Sequence, residues 1–321
     1  MPEISLRTAK RWLHKYYLWL VMAGVILIGC AIVLPKVFGN KPAIAYNAMT
    51  PYNVVTGPPG NEFKNPVALA VGLNSELYIA DKGNQRIIVM EEDGRFSMVF
   101  GGPGSGRAEL GEPVGLDIAP NGNVFIADQG KQAVLVFNSK GEYLYTISDA
   151  KGTLVPLCIK TDKKGNAYVF DRAAKKFRVY DSQGKKIKEF PSRKLITDNS
   201  ITAIDIDPDK GRIFGVSSDR SEYYEFTEDN IMTYEAGEVN EPGGIVYNRS
   251  KRLVFISDAY NNKIVVYDEQ GKYLGEFGKT GNGMSEFRQP GGMAFDETGK
   301  MYVADRGNNR IVIYTARISG E

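Results

Sequence analysis

From residue 51 to residue 321, short apolar runs alternate with clusters of Asp, Asn and Gly. Turn signals recur about every 8–12 residues, the spacing of antiparallel strands. The runs group into six copies, which begin at Asn65, Glu112, Val155, Ser200, Glu241 and Gln289, 41 to 48 residues apart. Pro66, Pro113, Pro156, Pro242 and Pro290 mark the same point in five of them. Each copy reads as four strands: an apolar strand after the proline, a strand ending in Ala-Asp or similar, a β-branched strand, and one containing Tyr or Phe. No copy places apolar residues at i, i+3, i+4 and i+7 over a helix-length window, which excludes helical repeats.

A fixed period of this length in an all-β chain predicts a six-bladed propeller with four-stranded antiparallel blades. The last copy stops after its third strand. The missing strand lies at the other end: Tyr52 to Thr56, followed by GPPGNEFKNP, matches the fourth-strand-plus-loop pattern seen from Phe96 and from Tyr273. The N-terminal strand is therefore expected to complete the sixth blade, closing the ring and removing an exposed sheet edge.

Ahead of the repeats, Tyr16 to Leu34 runs for 19 residues without a charge, close to the ~20 a helix needs to cross the hydrocarbon core. Tyr16, Tyr17 and Trp19 stand at its start, as interfacial aromatics do. Arg7, Lys10, Arg11 and Lys15 precede it, so the positive-inside rule puts a basic tail, 1–15, in the cytoplasm and the body outside. The expected organisation is tail 1–15, transmembrane signal-anchor helix 16–34, linker 35–50 and propeller 51–321. Leu27-Ile28-Gly29-Cys30 also resembles a lipoprotein box, and the alternative is a lipoprotein anchored at Cys30. Either reading leaves the body extracytoplasmic and tethered.

Composition adds exclusions. Gly numbers 35, Tyr 18 and Phe 15, the mixture of many short strands and tight turns, and the net charge of +2 gives no basic excess for nucleic acid. The two cysteines, Cys30 and Cys158, are not expected to pair, and Cys158 reads as a small buried hydrophobe in Leu157-Cys158-Ile159. The one histidine is His14, before the apolar segment.

The pattern Pro-x-Gly, Asp-x-x-Gly-x, Tyr-x-Ala-Asp, Asn-x-Arg-Ile resembles the NHL repeat, and Gly291 to Ile313 follows it almost position for position. The resemblance covers residues 52–321. It implies the propeller fold and leaves function open, since the family spans lyases, lactonase relatives, RNA-binding and sensor domains. Lyases of this kind need histidines, which the propeller region lacks. A lactonase-like site would need carboxylates and an Asn around calcium, for which Glu112, Glu241 and Asn65 are the available set. No phosphate-binding Gly-rich loop is present.

Four alternating strands per blade put the second-to-third loops and the blade-to-blade connections on one face. That face is expected to bind, through channel-mouth residues Asn65, Glu112, Glu241 and Gln289 and the connections 101–112 and 278–289. Acids recur at one blade position, Asp81, Asp128, Asp171, Asp258 and Asp305. Five places on stand Arg86, Lys176, Lys263 and Arg310 in four of these copies, so each Asp is expected to cap its turn or pair with that cation. Blade four departs, with Ser217 and Glu222. These residues point to a scaffold or protein-interaction propeller of the cell envelope, with other envelope proteins as partners and no cofactor. A calcium-dependent hydrolase is the enzymatic alternative and a ligand-sensing domain the third.

Overall fold

The computed structural model describes residues 49–149, 154–191, 201–207, 209–218, 220–227 and 230–316. The tail 1–15, the segment 16–34 with Cys30, and the linker up to residue 48 lie outside them. The described residues all belong to one compact unit, Ala45–Glu321. Among the described residues no helix is long and apolar enough to cross a membrane; the helical pieces are single turns, Lys82–Asn84 and Arg306–Asn308.

Six four-stranded antiparallel sheets form the unit, five of them from consecutive strands. The first strands are Pro66–Val71, Pro113–Ile118, Pro156–Thr161, Ile201–Asp207, Pro242–Asn248 and Pro290–Phe295. Each contacts the first strands of both neighbouring blades, so together they make a closed inner ring around a channel. In the sixth sheet the order is Pro290–Phe295, Met301–Asp305, Arg310–Ala316 and then the N-terminal strand Met49–Val55, which pairs antiparallel with Arg310–Ala316. The N-terminal strand thus supplies the strand the last repeat lacks.

That strand starts at Met49, three residues before the expected Tyr52. Met49 is 7% exposed and packs into the apolar cluster between blades five and six, and that burial holds the extra residues in register. Pro51 is tolerated because the strand is outermost, and the register shifts at Tyr52.

Burial follows position in the blade. The second and third strands are buried nearly throughout, whereas the fourth are half-exposed. The apolar side chains fall into six clusters, one at each seam between neighbouring blades. The core is therefore a ring of interfaces, and no blade buries its faces alone. Cys158 lies in the channel wall, free and buried. The Gly-Gly of the last two repeats is explained by close approach: a Cβ on Gly244 would sit 2.6 Å from the Gly291 carbonyl oxygen, and one on Gly292 2.7 Å from that of Val67.

Candidate functional site

The recurring aspartates end the second strands and turn toward the chain arriving from the preceding blade. Asp81 accepts Lys64 N–H at 2.7 Å, Asn84 Nδ2 at 2.8 Å and Arg86 Nε at 2.8 Å. Asp305 repeats the set with Arg288 N–H, Asn308 Nδ2 and Arg310 Nε, each at 2.7 Å. Asp128 accepts the N–H groups of Gly111, Glu112 and Lys131. Asp258 accepts those of Asn240, Glu241, Tyr260 and Asn261. Asp171 accepts Val155 and Ala173 N–H. In all five blades one carboxylate ties the incoming connection to the blade's own second-to-third loop.

The cations divide. Arg86 continues past Asp81 to the carbonyls of Asn61 and Glu62, and Arg310 past Asp305 to those of Asn282, Gly283 and Glu286. Asp171 and Asp258 take the other expected role and cap their turns, so Lys176 and Lys263 are not their partners. Their ammonium groups reach fourth-strand glutamates instead, Glu189 at 2.9 Å and Glu276 at 2.7 Å. Asp171 takes Arg178 at 2.7 Å.

In blade four Ser217 replaces the aspartate, and Glu222 accepts the Tyr224 hydroxyl at 2.7 Å. The opposite end of that blade carries an ion cluster joining it to blade five. Arg212 meets Asp207 and Glu269 at 2.9 Å and Glu225 at 3.4 Å, and lies over the rings of Phe214 and Tyr247. Tyr247 and Arg252 also donate to Glu269. Burial opposes ionisation of Glu269, yet these donors bring its carboxyl down to about 2. Burial, with Glu269 beside it, pushes the Tyr247 hydroxyl up to about 12.

Three of the four channel-mouth residues, Asn65, Glu112 and Gln289, make contacts across blade seams. Asn65 and Gln289 adopt left-handed φ angles of 52° and 49°. Their N–H groups donate to Asn309 Oδ1 of blade six at 2.8 Å and Asn262 Oδ1 of blade five at 2.7 Å. Glu112 bonds Lys82 of blade one at 2.8 Å. The Glu241 carbonyl accepts Ala259 N–H, while Arg306 Nε donates to the Gln289 carbonyl at 3.0 Å. Among the described residues no three His, Cys, Asp or Glu side chains converge to hold a metal ion. Of the set Asn65, Glu112 and Glu241, the Glu112 carboxylate is engaged by Lys82.

A second concavity opens on the opposite face, where first strands turn into second. It encloses about 720 Å³ and is lined from all six blades. At its throat, the Lys160 ammonium lies 3.6 Å from Asp117 and 3.2 Å from Asp205, with side chains 16%, 16% and 11% exposed. Each carboxylate is also anchored to the following blade. Asp117 accepts Thr161 N–H and Oγ1, both at 2.7 Å, and Asp205 accepts Tyr247 N–H at 2.8 Å. Burial pushes the Asp117 carboxyl up, with Lys160 and Thr161 pulling against it. Burial would lower the Lys160 ammonium, but Asp205 and Asp117 more than reverse that.

Sequence reasoning missed this trio, although a signal was present. The three occupy the fifth position of the first strand, where the other copies have Ala70, Val246 and Ala294. The informative feature is departure from the repeat within an inner strand.

Comparison with known proteins agrees with this architecture. The family model described as 6-bladed beta-propeller matches residues 62–235 and 221–318. NHL repeat-containing protein 2 of Gallus gallus is 32% identical over 85 residues, 23% of this chain, and that of Homo sapiens is 33% identical over 85 residues. The chain covers 12% of the length of these relatives. Among solved structures, a streptogramin B lyase superposes with a TM-score of 0.62 at 12% identity, over 86% of this chain and 100% of that one. A catalytically inactive virginiamycin B lyase from Staphylococcus aureus with quinupristin gives 0.58 at 16% identity, over 84% and 89%. At these identities the likeness is one of fold.

Proposed function

We propose that this chain, which belongs to the 6-bladed beta-propeller family, is an interaction module of the cell envelope. In this reading segment 16–34 tethers it outside the cytoplasm, and the Asp-locked face receives a protein partner. The observation that carries the proposal is the construction of that face. Five buried carboxylates fix its loops before any partner arrives, which lowers the ordering cost of docking. Tyr260 and Met284 stand on it 70% and 47% exposed. Their loops are joined by Asn262, which donates to Thr280 Oγ1 at 3.0 Å and accepts from Gln289 N–H at 2.7 Å. An aromatic and a methionine on a rigid polar rim suit a binding hot spot. A tether would raise the local concentration of such a module near other envelope proteins.

The hydrolase alternative has less support, because two of its three proposed ligands, Asn65 and Glu112, make contacts across blade seams. The test is crosslinking and co-purification of the full-length chain from its native membranes, beside the double variant Tyr260→Ala, Met284→Ala. A near-stoichiometric partner whose yield falls at least tenfold with the variant supports the reading. Undiminished recovery refutes this face, and absence of any specific partner refutes the module.

A further inference from the structure

The trio at the throat stands where the fold asks for no charge. Ala70, Val246 and Ala294 close the same ring position in three blades, so Asp117, Lys160 and Asp205 are not required for closure. Replacing buried ion clusters by apolar groups is commonly neutral or stabilising, and a rule broken in three adjacent blades points to a site. Each carboxylate spends one oxygen on the next blade and turns the other toward Lys160. Two carboxylates thus share one ammonium, and along the wall acids outnumber bases five to three. What the throat lacks is a second positive charge.

We propose that this concavity binds an aliphatic ammonium group, which completes an alternation of two carboxylates with two cations while its hydrocarbon stem lies along Leu73, Ile118 and Ile206 of the wall. The site is on the face opposite the proposed docking loops and does not rest on that reading. The same chemistry is presented by a free alkyl diamine and by a lysine side chain of another protein.

Titration calorimetry of the full-length chain would use cadaverine for the first source and N-acetyl-lysine methylamide for the second, with pentane-1,5-diol as an uncharged match. Saturable binding of either amine at one site, with none of the diol, is expected, and whichever amine binds more tightly identifies the source. The variant Asp117→Asn, Lys160→Met, Asp205→Asn keeps acceptors for Thr161 and Tyr247 but removes every charge. It should retain the parent's thermal midpoint and bind at least tenfold more weakly. Lys160→Met alone leaves both carboxylates unshared and should bind more tightly than the parent. Binding of the diol equal to that of the amines, failure of both amines to bind, undiminished binding by the triple variant, or weaker binding by Lys160→Met would each overturn the proposal. So would a triple variant unable to fold, because the trio would then be structural.

Discussion

A buried carboxylate that accepts several N–H groups fixes two segments at once, and what it costs to remove depends on what it leaves behind. Asp305 is fully buried beside Arg310, whose side chain is 9% exposed. Asp305→Ala would take from that guanidinium its counter-charge and the acceptor of Nε, leaving only carbonyl partners, and would orphan Arg288 N–H; removing one partner of a buried ion pair costs about 3–5 kcal/mol. Asp128 has backbone partners alone, on residues that water reaches once the carboxylate is gone. Its loss should be closer to about 1–3 kcal/mol. Urea denaturation of the two variants measures the difference, and equal losses would mean that the guanidinium adds nothing to the lock.

Individual strands are paired by register, but blades four and five are also joined through the carboxylate of Glu269, which Arg212 of blade four meets. Its folded value of about 2 lies below the ordinary 4.5. A depressed carboxyl contributes stability that is complete above its unfolded value and fades as pH falls toward the folded one. The gap in unfolding free energy between the parent and Glu269→Gln should therefore be constant above about pH 5 and close by about pH 2. A gap unchanged at the acid end would show that Glu269 acts by shape and not by charge. The elements of the ring were legible in the sequence because most copies agree on them: a proline opening the first strand in five of the six, an aspartate ending the second in five, and Gly-bearing turns. Side-chain partners were less so. Five places on from Asp171 and Asp258 correctly finds the residues opposite in register, Lys176 and Lys263. Their glutamate partners lie 13 residues away on the fourth strand, a distance that repeat alignment does not single out. The Asp117, Lys160 and Asp205 trio was hidden for the converse reason. Superposing copies emphasises what they share, and a charge in one inner strand passes for ordinary strand alternation until its neighbours in adjacent blades are brought beside it.

At the scale of the whole molecule, the ring is a cycle of six apolar seams, and a cycle is only as cooperative as its closure. The closing contact is made by the N-terminal strand, whose partners run from Met49 opposite Ala316 to Val55 opposite Ile311. Without it Arg310–Ala316 becomes the outer edge of blade six, with open backbone groups available to another chain. The seam between blades five and six also loses Met49. A chain beginning at Gly57 should therefore show fast amide exchange across 310–316, while the third strand of blade two, Ala133–Phe137, stays protected. It should also associate in a concentration-dependent way. A synthetic peptide of residues 49–55 added in trans should restore protection in blade six before anywhere else, because backbone pairing is local and the other five sheets are formed from their own segments. Unchanged exchange at 310–316 in the shortened chain would mean that the five complete blades hold the sixth in place by their seams alone, and that the strand crossing from one end of the sequence to the other is dispensable for closure.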